Sequence, residues 1–302
     1  MSAIADLEQS ARTAVERMGD AVVGIGARGP AGSGIVIGPE QVLTNAHNLR
    51  AERIRVSFPG GRTEEGEVAG VDLDGDLGVI TVPTGQAAGP EWAADGAIAI
   101  GKPVFALANP GGRGLRITFG LVSATGRSFR GPLGRRIAGS FEHTAPLARG
   151  SSGGPVVDAD GRLVGLSTHR LADGFYLAVP ADAALRQRVE ALSRGESPSR
   201  PRLGIGLAPS GVAPRLRRAV GLPERDGVLV RLVEEDSPAE RAGLRSGDLI
   251  VEADGREITG VDALYEALDA AAADGSLRLA VLRGVEELTV VASLGGEPAA
   301  QP

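Results

Sequence analysis

Short apolar runs separated by turn residues fill the chain between residues 21 and 180, and they constrain the fold more than any other feature. Ten runs of three to eight residues are bounded mainly by Gly, Pro, Asn and Asp, at positions 21–25, 34–37, 42–44, 54–58, 77–82, 103–107, 117–124, 155–157, 163–168 and 176–179. Many short strands at this spacing predict an all-β barrel or sandwich. Because the chain has 45 glycines and only 3% aromatic residues, we expect many tight turns and cores of Val, Ile, Leu and Ala.

Helical patterns and a second domain are predicted on either side of this β segment. Apolar residues at helical spacing predict an N-terminal helix within residues 1–20, on the face formed by Ile4, Leu7, Ala11, Ala14 and Val15. A closing helix is predicted after residue 180. The polar segment 194–201 contains two prolines and is the predicted linker. The sequence therefore divides into a β domain over 21–193 and an α+β module over 202–298.

Composition excludes several classes of function. The net charge is −6 without a long basic stripe, and aromatic residues are few, so nucleic acid is not an expected partner. There are no cysteines, and the histidines do not have metal-ligand spacing, so no disulfide, metal or cofactor is expected. Neither a signal peptide nor an apolar stretch long enough to span a membrane is recognised, so the chain as given is expected to be cytoplasmic.

Three segments of the β domain carry the residue types of nucleophilic catalysis. VLTNAHNLR places His47 after a short strand, VDLDGDLGVITV places Asp76 at the entry to a strand, and ARGSSGGPVVD places Ser152 in a glycine-rich turn. A serine hydroxyl needs a base to take its proton, and a carboxylate fixes the tautomer of a histidine base. The order His, Asp, Ser is one known order of a catalytic triad. From the residues alone, Asp72 and Asp74 compete with Asp76.

The motifs TNAH, DGDLGVI and GSSGGP resemble those of the HtrA/Deg family of trypsin-fold serine proteases, which approximate TNAHV, TDIAVL and GNSGGP. The resemblance extends through GSGIVI, ALANPGGRGLRITFGLVSATGRS and GFYLAVP, at 32–37, 106–128 and 174–180. It implies an all-β two-barrel trypsin-like protease domain followed by an α+β PDZ domain. It also implies His47 as general base, Asp76 as its orienting carboxylate and Ser152 as nucleophile. Asp76 is preferred because the family's Asp directly precedes an aliphatic strand.

The resemblance also implies where the substrate's carbonyl and side chain would bind. The oxyanion hole would use the backbone N–H groups of Gly150 and Ser152, with Ser151 nearby. The specificity pocket would lie between residues 146–149 and 175–178, with five predicted members: Pro146, Leu147, Phe175, Tyr176 and Leu177. A pocket without negative charge disfavours cleavage after Lys or Arg. If Tyr176 narrows it, we expect small aliphatic residues on the acyl side of the cleaved bond; if Tyr176 points away, it has no such effect.

The second domain resembles the family's PDZ module, most strongly in SPAERAGLRSGDLIVEADG at 237–255. RLGIG would form the loop that binds a peptide's C-terminal carboxylate, and the following strand edge would accept the peptide. A helix over 261–272 would form the other wall of the groove. The predicted contacts are Arg202, Leu203, Gly204, Ile205, Gly206, Leu264 and Leu268, although the apolar residues of this helix could equally be core.

By resemblance, the expected activity is hydrolysis of unfolded or damaged proteins through an acyl-enzyme, as in protein quality control. Expected partners are protein or peptide substrates, C-terminal peptides at the PDZ domain, and a homotrimer. The alternative is an inactive or weakly active protease-fold scaffold or chaperone that acts through PDZ peptide binding.

Overall fold

The computed structural model describes residues 2–26, 31–51, 53–132, 134–171, 174–198, 201–209, 212–219, 221, 224–271 and 274–294. The chain forms two compact units, residues 1–198 and 199–302. The division falls inside the predicted linker, whose residues 199 and 200 lie outside the described part. Residue 1 of the predicted N-terminal helix, residue 272 of the predicted groove helix and residues 295–298 of the predicted second domain also lie outside it.

The first unit begins with a helix and a closed six-stranded antiparallel barrel. The strands pair in the order β1-β2-β3-β6-β5-β4. The elements are α1 (Ala3–Met18), β1 (Val22–Ile25), β2 (Gly32–Gly38), β3 (Gln41–Thr44), β4 (Arg53–Ser57), β5 (Thr63–Asp72) and β6 (Leu77–Thr81).

A second closed six-stranded barrel follows, in the order β10-β11-β12-β9-β8-β7, and a helix ends the unit. The elements are β7 (Pro103–Ala108), β8 (Arg116–Arg130), β9 (Arg136–His143), β10 (Pro155–Val157), β11 (Leu163–Arg170), β12 (Tyr176–Pro180) and α2 (Ala183–Ser193). One buried cluster of large aliphatic side chains includes residues of both barrels and of α2.

Two strands of these barrels are absent from the apolar runs that the sequence shows. Strand β5 reads TEEGEVAGVD and strand β9 reads RIAGSFEH, so charged residues and glycine interrupt both. Strand β5 is nevertheless paired with β4 over its first half and with β6 over its second, and β9 is paired with β8 and, at its end, with β12. Barrel closure supplies these backbone hydrogen bonds whatever the side chains are, which is why the apolar pattern alone misses both strands.

The predicted face of α1 is only partly buried. Ala14 is fully buried and Ala11 packs at the edge of the core, but Ile4 remains 78% exposed, and Leu7 and Val15 are also exposed. Met18, which the predicted face did not include, is fully buried. The helix therefore packs through its C-terminal half.

The second unit is an antiparallel sheet of strand order β13-β14-β15-β17-β18, with β16 paired to β15. Its elements are β13 (Ile205–Leu207), α3 (Val212–Ala219), β14 (Val228–Val233), α4 (Pro238–Arg241), β15 (Leu249–Ala253), β16 (Arg256–Glu257), α5 (Val261–Ala270), β17 (Ser276–Arg283) and β18 (Glu286–Ser293). Ser237 caps α4 by accepting a hydrogen bond from the Glu240 amide, with Pro238 at the first helical position. Within the described residues, no helix is long and apolar enough to cross a membrane.

Candidate active site

His47 lies in a short helical turn directly after β3 and is held by Asp76. Its Nδ1 is 2.9 Å from both Asp76 Oδ1 and Asp76 Oδ2, and its backbone amide donates to Oδ1 over 3.1 Å. A carboxylate at Nδ1 favours the tautomer in which Nδ1 carries the proton, so Nε2 is left as the acceptor. The imidazole is about one-third exposed, which allows a reacting group to reach it.

Asp76 is buried and receives further hydrogen bonds. Thr168 Oγ1 donates to Oδ2 over 3.0 Å, and Asn45 Nδ2 donates to the Asp76 carbonyl over 2.9 Å. Asp76 has a φ of 54°, a left-handed conformation that Asp tolerates better than most residues. These contacts fix the carboxylate below the imidazole.

The competing carboxylates have other roles in the same turn. Asp72 Oδ1 accepts from the Gly75 amide over 2.8 Å, and Asp72 Oδ2 lies 3.8 Å from Arg188. Asp74 pairs with Arg135 at 3.0 Å. Of the three aspartates that the sequence left open, the structure brings Asp76 to His47.

Ser152 lies in the turn that precedes β10, and contacts from the first barrel hold its backbone. Its carbonyl accepts from the Ser33 amide over 2.9 Å and from Asn48 Nδ2 over 3.0 Å. Its Oγ donates to the Thr168 carbonyl over 2.9 Å. Among the hydrogen bonds of the described residues, none joins Ser152 Oγ to His47; in unliganded active sites this contact is often long and tightens when substrate binds.

The turn around Ser152 requires glycine. Gly150 and Gly153 have φ values of 84° and 89°, and a Cβ on Gly153 would lie 2.1 Å from the Ser33 carbonyl oxygen. Ser33 Oγ donates to the Gly150 carbonyl over 2.9 Å. Within the described residues, the Gly150 and Ser152 amides donate no hydrogen bond, whereas the Ser151 amide donates to the Ala148 carbonyl over 3.3 Å. Two of the three amides predicted for an oxyanion hole are therefore open.

A cavity beside Ser152 is built from three segments of the second barrel, residues 147–152, residues 167–170 and Tyr176. Leu147 and Tyr176 belong to the predicted pocket, but Pro146, Phe175 and Leu177 are not part of the lining. Successive residues of a strand point to opposite faces. Leu177 accordingly packs into the main core, on the other face of β12 from Tyr176.

The sequence prediction missed the wall formed by residues 167–170. Ser167 is 1% exposed, its Oγ has no hydrogen-bond partner among the described residues, and it lines the cavity. His169 and Arg170 continue the wall into solvent, and His169 stacks on Phe129 with ring centroids 5.8 Å apart. The signal that could have found this wall is the apolar run 163–168, since it pairs antiparallel with the strand that carries Tyr176.

His143 is a second residue whose role the sequence did not reveal. It is fully buried at the end of β9, and neither ring nitrogen has a hydrogen-bond partner within the described residues. It stacks on Tyr176 with centroids 5.8 Å apart and lies 6.1 Å from Phe141. Burial lowers the pKa of His143 from 6.5 to about 4, so the imidazole is neutral at pH 7.

In the second unit, the predicted carboxylate loop leads into an edge strand. Gly204 has a φ of 74°, and its carbonyl accepts from the Glu234 amide over 2.9 Å. Strand β13 has β14 on one side and no strand on the other among the described strands. Arg202 is exposed and lies 3.6 Å from Glu234.

Several of the predicted peptide contacts have side chains that are buried in the core. Leu203, Leu264 and Leu268 are each at most 3% exposed and pack in one cluster with the partly buried Ile205. Helix α5 turns Leu264 and Leu268 inward because they fall at helical spacing on its apolar face. Gly204, Ile205 and Gly206 keep the arrangement that the prediction needs, a loop followed by an open strand edge.

The described residues contain no group of three or more His, Asp or Glu that could hold a metal ion.

Comparisons with known proteins agree across both units. A model of the trypsin-like peptidase domain matches residues 32–166, and a model of the PDZ domain matches residues 229–283. HhoA of Synechocystis sp., whose name assigns it to the serine proteases, is 33% identical over 273 residues, which is 86% of this chain and 69% of that protein. Mitochondrial serine protease HTRA2 of Bos taurus is 32% identical over 86% of this chain and 59% of its own length. The chain thus spans 59–69% of these two relatives.

A solved structure gives the same result. The HtrA-type protease AlgW with a tripeptide is 27% identical, with a TM-score of 0.59, and the match covers 95% of this chain and 97% of that one. The similarity therefore includes both units and not only the region around Ser152.

Proposed function

Because the chain belongs to the HtrA family of trypsin-like serine proteases with a PDZ domain, we propose that it is an endopeptidase that uses Ser152, His47 and Asp76. One observation carries the assignment. Asp76 lies 2.9 Å from His47 Nδ1 and also accepts from Thr168 Oγ1, while the Thr168 carbonyl accepts from Ser152 Oγ. A single residue thus connects the orienting carboxylate with the nucleophile.

The reaction begins when Ser152 Oγ turns from the Thr168 carbonyl toward His47 Nε2. Oγ attacks the substrate carbonyl carbon as Nε2 takes its proton, and Asp76 stabilises the imidazolium. The negative charge on the substrate oxygen is stabilised by the open amides of Gly150 and Ser152. His47 then protonates the leaving amine, the peptide bond breaks, and water hydrolyses the acyl-enzyme by the same proton transfers in reverse roles.

Strand β11 offers a place for the substrate backbone. Its partner β10 pairs only with residues 163–166, whereas β12 pairs as far as Arg170. One edge of residues 168–170 is therefore open to an extended peptide. Extended substrates are segments of unfolded or damaged proteins, and the pocket beside Ser152 has no carboxylate in its lining that could neutralise a Lys or Arg side chain.

The second unit would bind peptide C-termini. In this proposal the carboxylate binds the amides of residues 203–206, and the peptide pairs with the free edge of β13. A peptide that ends in an apolar residue should bind only with its carboxylate free. Equal affinity for the C-terminally amidated peptide would contradict carboxylate capture.

A homotrimer is the proposed assembly. It is supported by the family and by the exposed apolar side chains of Ile4 and Leu7 at the start of α1. Light scattering coupled to size exclusion should give three times the mass of one chain, and a monomeric mass at micromolar concentration would contradict it.

Substitution of the nucleophile tests the activity. Ser152→Ala should lower casein hydrolysis by roughly 10⁴- to 10⁶-fold and abolish labelling by a fluorophosphonate probe, because no other hydroxyl replaces the nucleophile. Ser10→Ala on α1 is the matched control and should label like the wild type. If the wild type is not labelled, the chain is an inactive scaffold that acts through its PDZ domain. If Ser152→Ala suppresses aggregation as well as the wild type, a chaperone role exists beside proteolysis.

A further inference from the structure

The mouth of the cavity beside Ser152 is positively charged, although the sequence predicted an uncharged pocket. Among the described residues, its lining includes Arg149 and Arg170 and contains neither Asp nor Glu. Within the described residues, no carboxylate lies at ion-pair distance from either arginine. Both side chains are exposed at the mouth, so they are available to a ligand.

The inner part of the cavity contains an unused hydrogen-bonding group. Ser167 is 1% exposed, and its Oγ has no partner among the described residues. A buried hydroxyl without a partner is unfavourable, so it points to a ligand that supplies one. Tyr176, 5% exposed, adds a phenol to the same lining. An aliphatic side chain would leave the Ser167 hydroxyl unpaired, whereas an oxygen acceptor would satisfy it.

Arg170 is positioned over the cavity. Its guanidinium carbon lies 5.8 Å from the centroid of the Tyr176 ring, and that ring stacks on the buried His143. A cation over an aromatic face is attracted to it, so this contact keeps the charge of Arg170 beside the cavity. His143 is neutral at pH 7 and adds no opposing charge.

From these contacts we infer that the pocket selects an acidic residue, glutamate or aspartate, on the acyl side of the cleaved bond. A carboxylate has about four acceptor sites, enough for the Ser167 hydroxyl and a guanidinium together. The side chain of Lys or Arg would instead add a third cation. The inference rests on the proposed endopeptidase activity, and it replaces the sequence-based expectation of a small aliphatic residue, which rested on Tyr176 narrowing the pocket.

Four fluorogenic peptides that differ only in the acyl-side residue test this selectivity. With Glu, Gln, Val and Arg at that position, kcat/KM should be highest for Glu, about tenfold or more above Gln, which has the same shape without the charge. Arg should be the poorest substrate. Because the arginines are exposed, the ratio of Glu to Gln should fall as salt is raised from about 0.05 M to about 0.5 M.

Two variants test whether Arg170 causes the preference for Glu over Gln. Arg170→Gln should reduce the ratio of Glu to Gln several-fold, whereas Arg12→Gln on α1 makes the same change in net charge and should leave the ratio as in the wild type. Cleavage after Val or Gln as fast as after Glu, with Ser152 still labelled by a fluorophosphonate, would overturn the acidic preference alone. Failure to cleave any peptide together with failure to label Ser152 would overturn the proposed function itself.

Discussion

The first and second barrels have the same number of strands and the same closed pairing, but their interiors differ. Both barrels contribute large side chains to one buried cluster, for example Ile35 and Leu43 from the first and Phe105 and Leu166 from the second. The second barrel has in addition a smaller buried cluster of alanines, valines and Phe141. Among the described residues, buried polar atoms without a hydrogen-bond partner include Asn45 Oδ1 in the first barrel and side-chain atoms of Ser140, His143 and Ser167 in the second.

The two barrels also supply different groups to the site. The first barrel supplies His47 and Asp76, whose hydrogen bonds are made before any substrate binds. The second barrel supplies Ser152 and the cavity, where Ser167 lacks a partner and the Ser152 hydroxyl is turned to Thr168. Hydrogen bonds that are already made fix the proton-transfer geometry, whereas an unpaired polar group of the cavity can be satisfied by a substrate.

Asp76→Asn removes the carboxylate that the first barrel supplies to the site, and among these variants it should cause the largest loss of activity. The amide cannot hold His47 in the tautomer that leaves Nε2 free, so kcat should fall by roughly 10⁴-fold while the fold is retained. Steady-state kinetics measures this loss. Asp72→Asn in the same turn is the control, and a comparable fall in kcat for that variant would contradict the assignment of Asp76.

The pH dependence of stability distinguishes the second barrel. Burial lowers the pKa of His143 from 6.5 to about 4, so between these values the unfolded chain binds a proton that the folded chain does not. Stability therefore falls as pH drops from about 6.5 to about 4, by about 3 kcal/mol from this group. Among the described residues, the ionisable Tyr176 stacks on it, while Glu142 beside it in β9 accepts a hydrogen bond from Ser123 Oγ.

His143→Leu removes this proton linkage and is the test. Trp92 is the only tryptophan and lies in the first unit, so its fluorescence reports denaturant unfolding of that unit. The variant should lose about 3 kcal/mol less than the wild type between pH 7 and pH 4. His169→Leu, at an exposed position, should keep the wild-type slope. Identical slopes for the wild type and His143→Leu would contradict the proposed linkage.

In the second unit, Asp248 is a buried group that has hydrogen-bond partners, in contrast to His143. Burial disfavours the charged form of Asp248 and raises its pKa. Two contacts of 2.8 Å from Arg283, together with the Arg245 amide, stabilise the carboxylate and hold the pKa below its usual value. Asp248→Ala should destabilise this unit by about 2 kcal/mol. Hydrogen exchange of amides in β15 and β17 should show faster opening, whereas Asp274→Ala should not. Unchanged exchange in Asp248→Ala would mean that the ion pair adds no stability.

The contact between the barrels at Asn48 should have the smallest effect. Asn48 Nδ2 donates to Thr44 Oγ1 over 2.9 Å and to the Ser152 carbonyl over 3.0 Å, at the position where the family pattern TNAHV has valine. Asn48→Val removes one of two donors to that carbonyl, so kcat should fall about fivefold with little change in KM. Asn45 is a poor control because its Nδ2 donates to the carbonyl of the catalytic Asp76.

Asn48→Asp separates the loss of the hydrogen-bond donor from a change in side-chain size. It keeps the size of the side chain but removes the donor, so its kcat should fall at least as far as that of Asn48→Val. Full activity in both variants would show that the Ser33 amide alone positions the Ser152 carbonyl.

The sequence predicts the parts of this molecule that depend on local pattern. The apolar runs correspond to strands of both barrels, and the spacing of TNAH, DGDLGVI and GSSGGP places His47, Asp76 and Ser152 in one domain. Strands β5 and β9 could not be predicted in this way because their pairing, and not their own composition, makes them strands.

The features that the sequence did not predict depend on contacts between residues far apart in the chain. The Ser167 wall, the stacking of His143 on Tyr176 and the link from Asn48 to Ser152 each depend on which strands become neighbours in the closed barrel. Leu264 and Leu268 show the opposite problem. Their helical spacing is correct, but periodicity alone does not say whether an apolar face meets a ligand or the core.

Substrate ratios in two variants test the division of labour most directly. The kcat/KM values for the Glu and Gln peptides should be measured for the wild type, Asp76→Asn and Arg170→Gln. If the first barrel supplies proton transfer and the second supplies selectivity, Asp76→Asn should lower both values by a similar factor and leave their ratio unchanged. Arg170→Gln should change the ratio. A ratio that shifts in Asp76→Asn, or one that stays constant in Arg170→Gln, would contradict the account.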